Sequence, residues 1–203
     1  MLIGRRMAAW MAVAIACGWG IAGAQDQGGP TGTAEQEMMQ EYLKMMMPGE
    51  GHKRLEPWVG KWNYTQKMYP GGPGTEPMAT QGTAEAKWIL NGRFLQQTWS
   101  GEMMGQKVDG FGLIGYDNWR NMYVASWANG LSTALLTATG SADQTGNVIT
   151  FYGTMDEPTL KITGRMVEYI YTMRGPDTLT LEIIDLHAGH NYKVIEIEFT
   201  RAQ

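Results

Sequence analysis

From Trp58 to Arg201 no segment of helical periodicity interrupts a run of alternating apolar and polar residues. Clusters with strong turn chemistry break that run at short intervals: Gly71-Gly72-Pro73-Gly74, Asn91-Gly92, Asp117-Asn118, Thr145-Gly146-Asn147, Gly175-Pro176-Asp177 and Gly189. The pattern predicts ten strands, near 58–69, 80–90, 93–103, 107–116, 120–128, 133–142, 147–155, 161–174, 177–187 and 190–201. Parallel neighbours need long crossover connections, which this spacing does not provide, so consecutive strands are expected to pair antiparallel. As an open sheet they would expose two unpaired edges, and closure removes both. The expected fold is therefore all-β, a closed antiparallel barrel of about ten strands with a short N-terminal α-helix. A barrel of that size can enclose one small ligand.

Composition agrees where it bears on this choice. The chain has 27 Gly and 8 Trp but only 18% charged residues, which suits short strands and tight turns better than a helical bundle. A net charge of -4 without a basic run excludes nucleic acid as the expected partner.

The N-terminus reads as an address. Arg5-Arg6 precede an uncharged stretch from Met7 to Ile21, and Ala22-Gly23-Ala24 supplies small residues for signal-peptide cleavage. The stretch is too short to span a bilayer, and no later segment is apolar enough to do so. Residues 1–24 are thus expected to be a signal peptide, 25–48 a flexible leader and helix, and 49–203 the barrel domain of an exported, periplasmic or secreted protein. Cys17 is the chain's one cysteine and follows Ala14-Ile15-Ala16, which leaves a lipid anchor as the less favoured alternative. Cleavage after Ala24 would leave no cysteine, and disulfides and thiolate chemistry would go with it.

In the leader, Thr33 is placed to cap a helix with Gln36 three residues on. Met38, Tyr42 and Met45 then share a face, with Met39, Leu43 and Met46 beside it, and Pro48-Gly49 ends the helix. That apolar face is expected to cover one barrel mouth. Met45-Met46-Met47 with His52 could instead offer thioether ligands to Cu(I), the less favoured reading.

Parity along the first and last strands supports closure. Trp58, Gly60, Trp62, Tyr64 and Met68 share one face of the first; Ile195, Ile197, Phe199 and Arg201 share one face of the last. Arg201 falls on the apolar side, where a charge needs a partner. In a closed barrel these strands adjoin, and the guanidinium can stack on Trp62.

Gly60-Lys61-Trp62 with a late arginine resembles the paired signature of the calycin barrels, the lipocalins and fatty-acid-binding proteins. A closer resemblance, over about residues 48–200, is to the bacterial domain of unknown function 1579 family, described as lipocalin-like. The residues that carry it are Pro48-Gly49-x-x-His52-x-x-Leu55, Gly60-x-Trp62, Gly82-x-Ala84-x-Ala86, Asn91-Gly92-Arg93-Phe94 and Gly112-x-x-Gly115-Tyr116-Asp117-Asn118, followed by Tyr123 and Trp127. The resemblance implies a fold and export and brings no catalytic residue with it.

Other motifs are weighed on their chemistry. Gly110-Phe111-Gly112-Leu113-Ile114-Gly115 matches a dinucleotide fingerprint in letters. That motif needs a helix after it, whereas Tyr116-Asp117-Asn118 makes a turn, so the glycines are expected to serve bending or close packing. Asp185 and His187 continue the parity of Leu179, Leu181 and Ile183, and are expected to face inward near a strand end. Such a pair could orient a ligand or act as acid and base; a satisfied polar pair at the rim is the plainer alternative. His52 is expected to fix its own turn by a hydrogen bond, and His190 to be exposed. No cofactor is expected. Haem is the minor alternative that the likeness to haem-binding calycin barrels implies, with His187 as candidate ligand. Tyr123 and Trp127, with Ala125 between them, are candidates to line a cavity.

The functional expectation is a non-catalytic binder of a small hydrophobic molecule, with Tyr123, Trp127 and His187 as ligand contacts. An enzyme using Asp185 and His187, or a structural envelope protein with a packed barrel, are the alternatives.

Overall fold

The computed structural model describes residues 32–203 except Met104. The expected signal peptide, Cys17 and the first part of the expected leader lie outside the described residues. The chain divides into two units, residues 1–41 and 42–203, and the second holds the barrel.

Ten strands form: β1 (Gly60–Met68), β2 (Met78–Ile89), β3 (Phe94–Met103), β4 (Gln106–Asp117), β5 (Met122–Asn129), β6 (Leu136–Ala142), β7 (Val148–Glu157), β8 (Ile162–Gly175), β9 (Thr178–Asp185) and β10 (Lys193–Arg201). Each pairs antiparallel with its neighbours in sequence, and β1 pairs with β10, so the sheet closes into a barrel. Trp62 faces Arg201 across the closing seam, and Met68 faces Ile195. Closure leaves these ten strands no free edge.

Alternation is clearest in β5 and β9. Tyr123, Ala125 and Trp127 of β5, and Leu179, Leu181, Ile183 and Asp185 of β9, are the buried inward series. The one exception on β9 is outward Ile184, also buried. Register slips occur in β7, β8 and β10, between Met155 and Glu157, Met173 and Gly175, and Lys193 and Ile195. The slips in β7 and β8 sit near strand ends, so the inward series Arg165, Val167, Tyr169, Tyr171 is kept.

The helix α1 (Gly32–Met45) starts one residue before Thr33, which therefore lies inside it. Its expected role as a lid needs correction. Within the barrel unit Tyr42, Leu43, Met45, Met46 and Met47 are all exposed. The mouth is instead closed by the segment after Pro48: α2 (Glu50–Lys53) and a 3-10 turn (Glu56–Trp58). Trp58 belongs to this turn and not to β1, which begins at Gly60 with φ +125°. Leu55 is fully buried, Trp58 and His52 nearly so.

Candidate functional site

The plug is built by short-range chemistry. The Gly49 amide donates to His52 Nδ1 at 3.1 Å, which holds the first turn of α2 and fixes the imidazole as an acceptor at that nitrogen. Burial pushes the pKa of His52 below its usual value. Tyr123 donates its hydroxyl to the Gly51 carbonyl at 3.1 Å, and Tyr116 lies so close to Gly51 that a Cβ there would sit 2.3 Å from the ring. Trp58 stacks on Tyr171 with centroids 4.6 Å apart, and its carbonyl accepts from Trp62 Nε1 at 2.9 Å. Trp88 Nε1 donates to Glu56.

Arg201 locks plug to barrel. Its guanidinium lies 4.0 Å above the Trp62 ring and donates to the carbonyls of Val59 (2.6 Å), Pro57 (3.0 Å) and Pro176 (2.9 Å). Gly60 makes room for it, since a Cβ there would meet the guanidinium at 2.7 Å. A half-buried cation with three carbonyl acceptors and an aromatic face is a satisfied one. Gly60, Trp62 and Arg201 thus form a structural clamp.

At this end the inward side chains Leu95, Ile114, Ile149 and Phe151 are at most 1% exposed. Toward the other end solvent reaches the interior. Tyr64, Met68, Trp99, Met155, Ile197 and Phe199 all face inward and all remain partly exposed. The wall made by β1–β4 borders a recess of about 560 Å³ whose lining joins outward Lys61, Thr83, Glu85 and Asp109 to Trp62, Ala84, Trp99 and Gly110. A smaller recess of about 220 Å³ lies at the plug, beside Arg54, Tyr116, Asn121 and Ser141.

Glycines shape the interior. The Trp99 indole lies against Gly110, where a Cβ would come within 1.8 Å of it, and Trp127 lies against Gly112 at 2.6 Å. Tyr64 covers Gly82 and Gly101 in the same way. The fingerprint-like Gly110 and Gly112 are therefore seats for indole rings. The element after them is strand β5, and no helix N-terminus is offered to a phosphate.

The candidate residues separate. Tyr123 and Trp127 are both buried, Tyr123 bound to the plug and Trp127 packed on Phe151 and Tyr169 with centroids 5.9 and 5.1 Å apart. The room foreseen beside Ala125 faces Ile114 across the ladder, which is fully buried. Trp119 sits exposed in the β4–β5 turn. Asp185 faces inward and is buried, but its carboxylate pairs with Arg165 and accepts the His187 amide at 3.0 Å. His187 corrects the parity argument: β9 ends at Asp185, a turn follows, and the imidazole is exposed. Its Nδ1 accepts the Met166 amide at 3.1 Å. The two side chains make no acid–base contact of their own, and the haem alternative loses the inward histidine on which it rested. Among the described residues no cluster of His, Cys, Asp or Glu could hold a metal ion.

Sequence reasoning passed over Arg165 and Tyr169. Tyr169 is 4% exposed, faces inward, and its hydroxyl is the one buried side-chain polar atom without a hydrogen-bond partner among the described residues. Burial pushes its pKa up to about 12, so it stays a neutral donor. Parity at positions 165–171 would have marked both residues as inward, but not which of them lacked a partner.

These features define a closed β-barrel plugged at one end, with an aromatic interior that solvent enters at the other. The sequence profile of a family of proteins of unknown function, DUF1579, matches residues 47–201, and the chain belongs to that family. No curated protein matches it. Among solved structures it resembles Rv2717c from M. tuberculosis, at 15% identity and a TM-score of 0.55, over 77% of this chain and 100% of that one. It also resembles a redesigned beta barrel, b11L5F_LGL, at 12% identity and a TM-score of 0.40, over 74% of this chain and 96% of that one. The first likeness is one of fold.

Proposed function

We propose that this protein binds a small hydrophobic molecule inside the barrel and performs no chemistry on it. The observation that carries this reading is the set of inward apolar side chains that solvent still reaches, Tyr64, Met68, Trp99, Met155, Ile197 and Phe199, on a scaffold whose opposite end is sealed. Apolar surface left wet inside a concave, pre-formed site gains by being covered with an apolar ligand. An acid–base enzyme reading has lost its pair, since Arg165 holds Asp185 and His187 lies outside. The signal-like residues 1–24 support export, and N-terminal sequencing of protein recovered from the producing cell's envelope or medium checks it, with Gln25 expected first.

Native mass spectrometry of protein purified without detergent from its own host tests the binding. The expected result is an excess mass that organic extraction removes, or tryptophan fluorescence that responds saturably to added apolar probes. A bare mass together with flat titrations would overturn the reading in favour of a structural barrel.

A further inference from the structure

A second reading rests on this binding role and narrows the ligand. Tyr169 presents a hydroxyl inside a barrel in which the surrounding groups are apolar: Phe151 and Ile183 are its cross-strand partners and Trp127 packs on its ring. A buried hydroxyl that makes no hydrogen bond costs stability, and one in a native fold calls for a partner that comes from elsewhere. Its raised pKa keeps the proton on, so the partner it lacks is an acceptor.

Charge selects further. Among the described strand residues that face inward, the cations are Arg165 and Arg201. Arg201 is committed to Trp62 and three carbonyls at the plug. Arg165 is committed to Asp185, and their side chains are 20% and 11% exposed. An anionic ligand would have to compete with Asp185 for that guanidinium and would repel the carboxylate it displaced. Arg165 stands two inward positions nearer the open end than Tyr169, about 13 Å at the usual strand rise. A self-neutralised ion pair thus stands between the open end and the lone donor.

We infer that the ligand is a neutral, largely apolar molecule that carries a hydrogen-bond acceptor, a carbonyl or ether oxygen, at its leading end, and that Tyr169 donates to that oxygen.

Three probes with the same number of heavy atoms separate the possibilities: 2-isopropenylnaphthalene, 2-acetylnaphthalene and 2-naphthoate. The full-length protein, Tyr169→Phe and Asp185→Asn are titrated with each by calorimetry. The unaltered protein should bind the ketone about tenfold more tightly than the hydrocarbon, the factor one hydrogen bond is worth. Naphthoate should bind weakest. Tyr169→Phe should bind ketone and hydrocarbon alike, and its ligand-free melting temperature should equal or exceed that of the unaltered protein, because only an unpaired hydroxyl is lost. Asp185→Asn, which frees Arg165, should tighten naphthoate alone. The carbonyl stretch of the bound ketone should shift to lower frequency in the unaltered protein, a readout that needs no variant.

If none of the three binds, the binder reading itself fails. If the hydrocarbon and ketone bind equally and the carbonyl stretch does not move, the anchor at Tyr169 is overturned and the hydroxyl meets water only. A ketone preference that persists in Tyr169→Phe overturns it too. Naphthoate binding the unaltered protein as tightly as the ketone overturns the selection for neutral ligands.

Discussion

The two ends of the barrel are made from similar residues and do opposite things. At the plug, Leu55, Trp58, Ile114, Phe151 and Tyr171 pack to near-complete burial, and four polar groups find partners: His52 in Gly49, Tyr123 in Gly51, Trp62 in Trp58 and Arg201 in three carbonyls. Toward the open end, aromatic and aliphatic side chains of the same kinds are left partly wet, and between the two ends one buried hydroxyl, that of Tyr169, is unanswered. The difference teaches that residue type alone does not separate core from cavity. What separates them is a ten-residue segment outside the sheet, Gly49–Trp58, which fills one mouth and has no counterpart among the described residues at the other.

Truncating an aromatic at each end breaks the comparison most directly. Trp58→Ala removes a buried indole stacked on Tyr171 and should cost about 4 kcal/mol in denaturant unfolding. Trp99→Ala at the half-wet wall removes an incompletely buried ring and should cost about half that. Equal losses would mean that both ends are core.

Arg201→Met comes next. It keeps apolar bulk over Trp62 but strands the carbonyls of Pro57, Val59 and Pro176, and should cost about 2 kcal/mol. Exchange of the Trp62 indole proton should quicken as the plug loosens, while amides at the open ends of β7 and β8 should be unaffected. Uniform acceleration around the barrel would contradict a local clamp.

The smallest effect is on pH. Burial lowers the pKa of folded His52 below the unfolded 6.5, so between the two values the unfolded chain binds more protons. The plug's contribution is therefore complete above pH 6.5 and is lost as pH falls through the folded value. Melting temperature should decline through that window, and His52→Asn should flatten the decline. An unchanged slope in the variant would remove His52 from the account. Binding of a neutral probe at the open end should change little over the same range.

Much of this architecture is legible in residues near one another in sequence. Strand number and order follow from turn chemistry at fixed places, such as Asn91-Gly92 with φ +56° and +80°, and from alternation between them. Alternation failed at His187 for a simple reason. Parity holds only while a strand lasts, and β9 stops two residues earlier. It leaves Tyr123 and Trp127 undecided, because an inward side chain can face packing or space, and parity reports neither. The apolar face of α1 was read as a lid from its own periodicity, yet a periodicity cannot name the surface it meets.

Residues read in order specify the class: ten short strands that alternate, no crossover helix, glycines for bending or close packing, and an arginine on the apolar face of the last strand. Those are local or two-body facts, written in propensity and period. Only the tertiary structure decided which end is sealed, that Asp185 belongs to Arg165, and that the Tyr169 hydroxyl is left without a partner. Each depends on which side chains from distant strands converge, and hydrogen-bond satisfaction is a property of that convergence and of no single segment.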